Sequence, residues 1–159
     1  MEFCRIWWVS DNPRERAAAI CAIGQLGVAD AETIETLVCA LRDADAQVRR
    51  TAAEALGAIG ASDAVPQLLE RVYDHDWQVQ ASVLRALGKL RATSALDIIM
   101  SRAEDVDSVV RIAAVESLGD LGDPRAVPVI LEAMADEDPD VAHAARGALS
   151  GMGTDAIAS

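Results

Sequence analysis

The chain has 159 residues and a formal net charge of −12, with 52% apolar but only 3% aromatic residues. So few cations leave no basic stripe for nucleic acid, and they disfavour an anionic membrane surface. No run of eighteen apolar residues is present, so no transmembrane helix is expected.

Residues 1–11 carry Phe3, Ile6, Trp7, Trp8 and Val9, too apolar a set for a free tail. The segment has neither a long apolar core nor a small-residue cleavage site, so it does not read as a signal peptide. It is expected to cover the open end of a stack as an N-terminal cap. A docking segment for another chain is the alternative.

From Asn12 onward a unit recurs. Leu56, Leu87, Leu118 and Leu149 are each 31 residues apart, and Ile23 precedes Leu56 by 33. A fixed period of this size marks stacked repeats, each burying its apolar face against its neighbours. Each unit reads as a helix A, a short acidic turn, a helix B and a Gly-marked turn. In helix A, apolar residues recur at helical spacing: Ile34, Leu37, Val38 and Leu41; Val65, Leu68, Leu69 and Val72; Val127, Ile130, Leu131 and Met134. Pro66 and Pro128 fall near its start, where a proline costs little.

The turn into helix B holds Asn12, Asp45, Asp76, Asp107 and Asp138 at one repeat position, all good N-cap residues. Pro13 and Pro139 follow at the first helical position. Four residues past the cap stand Arg16, Arg49, Gln80, Arg111 and Ala142. An arginine there is expected to reach the cap carboxylate of its own or the next repeat, forming a ladder that Gln80 weakens and Ala142 breaks. Gly27, Gly60, Gly122 and Gly153 are expected to end helix B in the left-handed conformation. Arg91 stands at this position in the third unit, so that turn is expected to differ.

Each acidic turn also carries an Asp-x-Asp pair, such as Asp43/Asp45 and Asp74/Asp76. Four such pairs along one edge could hold Ca²⁺, which favours oxygen ligands. Capping and the arginine ladder offer the structural reading, and no EF-hand glycine accompanies them. Cys4, Cys21 and Cys39 show no CxxC spacing, and buried, reduced thiols in a cytoplasmic protein are expected.

The unit at 119–149 resembles the short HEAT repeat of the type named after phycobilisome (bilin) lyases. The resemblance rests on the Gly-Asp-Pro-Arg-Ala-Val-Pro run at 122–128, the Val-Arg pair opening helix B, and the Ala-Ala…Ala-Leu-Gly pattern after it. It covers residues 12–157. It implies an all-α, right-handed α-solenoid of antiparallel helix pairs, about five short HEAT-like repeats in a single domain over 1–159. Residues 12–30 form a partial first repeat, 31–153 four helix-pair repeats, and 154–159 the truncated start of a further helix A. Such an end belongs either to a piece of a longer protein or to two copies meeting end to end.

The resemblance also implies a protein-binding scaffold, with a minority of enzymes in the group. The hydroxylase branch needs His-Glu pairs, and neither His75 nor His143 is followed by Glu. The DNA glycosylase branch needs a basic groove, which the charge does not support. The bilin lyase branch stays open.

In HEAT-like stacks helix B lines the concave face. At 100° per residue, its outward positions hold Arg50, Ile112 and His143; then Ile20, Leu84, Val115 and Arg146; then Glu54, Arg85 and Glu116. The Ile20–Leu84–Ile112–Val115 strip is apolar where a solvated face should be polar, which marks a binding surface. Superhelical twist that buries these positions between B helices is the alternative. Trp77 and Tyr73 flank the third acidic turn, as a hot spot or as turn packing.

The expectation is therefore a non-catalytic scaffold without metal or cofactor. It binds a protein or peptide, a basic one fitting the charge, through these concave residues and Trp77. An accessory subunit of a bilin lyase-like enzyme and a module that self-assembles through its open ends are the alternatives.

Overall fold

In the computed structural model, which describes residues 10–157 and the side chains of 10–153, the N-caps set where each helix B begins. Asn12, Asp45, Asp76, Asp107 and Asp138 each accept a hydrogen bond from a backbone N–H of the first turn. The B helices are α1 (Pro13–Leu26), α3 (Ala46–Ala58), α5 (Trp77–Lys89), α7 (Ser108–Leu121) and α9 (Pro139–Ile157). The A helices are α2 (Ala31–Ala40), α4 (Val65–Leu69), α6 (Leu96–Arg102) and α8 (Val127–Ala133). The last three A helices are each entered through a one-turn 3-10 helix. The architecture is the expected all-α right-handed solenoid of antiparallel helix pairs. No helix among the described residues is long and apolar enough to cross a membrane.

The B helices carry the stack. Each packs most extensively on the B helix of the adjoining repeat, and each A helix rests on the B helix of its own repeat. Successive A helices barely touch. Leu37, Leu68, Ile99 and Ile130 of the A layer meet Leu56, Leu87 and Leu118 of the B layer in one fully buried core. Leu131 and Met134, expected on the buried face of α8, are 53% and 37% exposed. The equivalent Leu69 of α4 is half-buried, whereas α8 has no A helix beyond it among the described residues.

Glycines inside the B helices set the spacing between repeats. A methyl added at Gly88 would lie 2.8 Å from the Ser117 Cα, and one at Gly119 2.9 Å from the Ala148 Cα. Gly57 meets the Ala86 Cα at 3.0 Å and Gly24 the Ala55 Cβ at 2.8 Å. Any side chain there would push neighbouring B helices apart. Ser117 adds a bond across the same contact, its hydroxyl 2.7 Å from the Leu84 carbonyl oxygen.

Two turn expectations need correction. Arg91 does not alter its turn: it adopts a left-handed φ of 50°, close to the 73° of Gly60. The same pair of closing bonds forms at both ends, from Gly60 to Gly57 and Ala61 to Leu56, and from Arg91 to Gly88 and Ala92 to Leu87. The two hydrogen bonds hold Arg91 where glycine would rest without strain. Gly153 does not end its helix, because α9 runs on through it to Ile157. The expected opening of a further helix A at 154–157 is instead a continuation of α9.

The cysteine expectation holds only in part, since Cys21 is reduced as expected but not buried, and Cys39 is disulfide-bonded. The N-terminal cap assigned to residues 1–11 falls almost wholly outside the described residues.

Gly88→Ala should destabilise the chain by about 1–3 kcal/mol through overpacking. Gly147→Ala, where an added methyl meets nothing within 4 Å, should stabilise it by about 0.5–1 kcal/mol through helix propensity. Urea melts of the two variants check this pair. Arg91→Gly should gain about 0.5 kcal/mol, relief of left-handed strain exceeding the added chain entropy, measured as a small rise in Tm.

Candidate protein-interaction surface

The Asp-x-Asp pairs are fully engaged by the protein itself. The second aspartate of each pair caps helix B, as expected. The first takes the arginine, so the expected ladder to the cap carboxylates is corrected. Arg49 donates through Nε and Nη2 to the two carboxylate oxygens of Asp74 in the next repeat, at 2.9 and 2.8 Å. Arg16 binds Asp43 and Arg111 binds Asp136 in the same two-pronged way. Each of these aspartates also accepts the N–H of its own repeat's cap residue. The arginine's remaining nitrogen reaches back to a carbonyl of its own turn, as Arg49 does to Asp43 and Arg111 to Asp105. One guanidinium thus ties two successive turns together.

The third rung is rebuilt rather than weakened. Gln80 donates to the Asp74 carbonyl and accepts from Arg102 of α6. Arg102 in turn holds Asp105 at 2.8 Å. Among the described residues, no group of three or more His, Cys, Asp or Glu side chains could hold a metal ion.

Three members of the expected concave strip are not surface residues. Ile20, Leu84 and Val115 are 2%, 0% and 0% exposed, and Ile112 is half-buried against the core. Their repeat position faces the neighbouring B helix, so the strip is part of the inter-repeat contact. Arg146 holds that position in α9 and is exposed, because no B helix lies beyond it among the described residues.

The remaining concave residues form a polar face that largely neutralises itself. Arg50 lies 3.6 Å from Glu54 within α3. The Ser82 hydroxyl of α5 donates to Glu54 at 3.0 Å. Arg85 of α5 donates to Glu116 of α7 at 2.8 Å. Trp77 stands apart from this row, at the first position of α5 on the turn edge, and is 44% exposed.

Between α7 and α9 the face opens into a groove of about 470 Å³. Its floor is Gly119, Ala144, Gly147, Ala148 and Gly151, and its walls are Arg91, Glu116, Asp120 and His143. Glu116 and His143 of the expected site are brought together there; Arg91, Asp120 and Gly151 are additions. Partial loss of solvent and then the Glu116 charge push the Asp120 carboxyl above the usual range, opposed by Lys89 and Arg91. The missed signal lies in the repeat register. Gly147 replaces Glu54, Arg85 and Glu116, and Gly151 replaces Ala58, Lys89 and Asp120.

The HEAT-repeat sequence profile matches residues 6–83 and again 66–150. The chain belongs to the HEAT-repeat family. It is similar in structure to the complex of CpcE and CpcF of phycocyanin lyase from Nostoc sp. PCC7120, with a TM-score of 0.76 and 26% identity. That match covers 94% of this chain and 63% of the other, so the HEAT-repeat chain spans less than two thirds of that relative's length. An engineered protein of the Northeast Structural Genomics Consortium matches at TM-score 0.65 and 19% identity, over 91% of this chain and 75% of that one. A designed armadillo repeat protein matches at 0.59 and 17%, over 94% and 80%. No curated protein sequence matches the chain.

The arginine ladder gives an acid signature. Burial alone would raise the Asp74 carboxyl, but the hydrogen bonds from Arg49 and the Asp76 N–H outweigh it and hold it below the usual range. Asp136 is lowered chiefly by its bond from Arg111. A carboxylate with a depressed folded-state pKa stabilises fully above its unfolded value, about 3.9. That contribution is lost as pH falls through the folded value. Asp74→Asn should therefore cost about 3 kcal/mol at neutral pH, leaving the Arg49 charge unpaired. The deficit against wild type should shrink below about pH 4, which thermal melts across an acid series would read.

Proposed function

We propose that this HEAT-repeat chain is a non-catalytic interaction scaffold that docks a segment of a partner protein in the α7–α9 groove. The supporting observation is that groove: a floor of glycine and alanine lets a partner backbone approach closely, and walls of both signs supply polar anchors. The packing also supports a concave B face. Closely packed B helices opposite splayed A helices bend a stack toward the B layer. Arg85 and Glu116 extend the groove's polar rim along the face.

The second reading is an accessory subunit of a bilin lyase-like modifying enzyme. The similarity to a phycocyanin lyase complex of two different chains favours it. It too requires a protein partner, so the readings separate on pigment. Mixing with a bilin should change the visible absorbance only under the second reading.

The scaffold test uses Gly147→Arg/Gly151→Arg, which fills the groove at two positions open to solvent. The double variant should keep its helical circular dichroism and lose capture of the cellular partner by about tenfold or more, as expected of a blocked hot spot. Equal capture by both proteins would remove the groove from the interface.

A further inference from the structure

The turns between helix A and helix B form an edge of the stack apart from the groove. In the third turn this edge carries Tyr73, 64% exposed, and Trp77, 44% exposed. The chain has only five aromatic residues, and two of them share this exposed turn. The same positions hold Arg42 and Ala46, Glu104 and Ser108, and Ala135 and Pro139 in the other repeats. Val106, at the tip of the next turn, is 99% exposed. Solvated turns have no use for such side chains.

The Tyr73 ring is held in place, with the Arg102 guanidinium 5.1 Å from its centroid and Arg102 fixed by Asp105. Directly after Arg102 the chain enters a cleft of about 340 Å³ between the turn that follows α6 and helix α8. Ala103, Val129 and Ala133 give this cleft an apolar floor, and Glu104, Glu132 and Glu137 stand around it. None of these three glutamates forms an ion pair with a described residue, whereas the neighbouring Asp105 and Asp136 are taken by Arg102 and Arg111. Arg111 also lines the cleft, but its guanidinium is bound to Asp136, so the edge joins an immobilised aromatic surface to three glutamates that no cation of the described residues pairs directly.

We propose that the turn edge of the third and fourth repeats docks a basic segment of a partner protein, one in which arginine or lysine alternates with apolar residues. A long cationic side chain fits the cleft with its stem on the apolar floor and its head among the glutamates. A second cation or an apolar residue covers Trp77 and Tyr73, where aromatic faces favour guanidinium. The charge of −12 attracts such a segment from a distance. This surface is independent of the α7–α9 groove, so either can fail without the other.

The probe is a fluorescein-labelled synthetic peptide of alternating Arg and Leu, followed by anisotropy. Saturable binding to wild type is expected, weakened about fivefold by Tyr73→Ala/Trp77→Ala and again by Glu104→Gln/Glu137→Gln. All four side chains project from exposed positions, and circular dichroism confirms folding. Gly147→Arg/Gly151→Arg should bind the peptide as wild type does. No saturable binding to wild type would overturn the proposal. So would equal binding by both edge variants, which means general attraction to an acidic protein, or loss only in the groove variant.

Discussion

In each contact between successive B helices, a glycine faces the backbone or β-carbon of the next helix so closely that a methyl group would stand 2.8 to 3.0 Å from it. Helices without side chains at the crossing approach as near as their backbones allow. That distance decides the rest of the architecture. It makes the B layer the tight one and leaves the A helices spread apart on the other side. It also decides which B-helix positions are interior. Ile20, Leu84 and Val115 are sealed between neighbouring B helices, where a looser stack would leave them in water.

The turn ladder depends on the same spacing. A guanidinium four residues past its cap spans to the first aspartate of the following turn because the two B helices are near enough for an arginine's reach. The two-pronged geometry then fixes the rotation of one repeat on the next, which apolar packing alone defines poorly. The third repeat shows that the rung matters more than the residue supplying it. Gln80 cannot pair with a carboxylate, yet Arg102 arrives from α6 and closes the link to Asp105. The exchange moves the cation from the B layer to the A layer, and there it carries the Tyr73 ring.

Most of the architecture was legible because it is local. The 31-residue period, the five caps and the helix-A apolar faces each depend on contacts within one unit. Apart from the helix ends at Arg91 and Gly153, the misreadings of the ladder and the concave strip concern contacts between units. A helical wheel assumes one buried face, but a B helix here meets the preceding B helix, the following one and its own A helix. Eight of the thirteen residues of α5 are buried, so positions turned away from helix A still face protein. Glycine after the repeated leucine was visible as a pattern, but its purpose needs the neighbouring helix. The choice between the two aspartates of each pair likewise depends on where the next turn falls. Of the site residues, Glu116 and His143 could be read from outward register. The groove between them could not, since it is made by side chains that α9 lacks.

The two exposed surfaces differ in how their charges are settled. On the B face, Glu54 meets Arg50 and Ser82, and Glu116 meets Arg85, so that face offers shape more than net field. On the turn edge the ladder consumes Asp43, Asp74, Asp105 and Asp136 for structure. Glu104, Glu132 and Glu137 at the same edge are left over, and they have no share in holding the repeats together. Part of the surplus negative charge thus sits in groups free to meet a cation from outside. A stack held by arginine–aspartate rungs keeps its glutamates available, and the chemistry of a partner at that edge follows from which carboxylates the fold has already used.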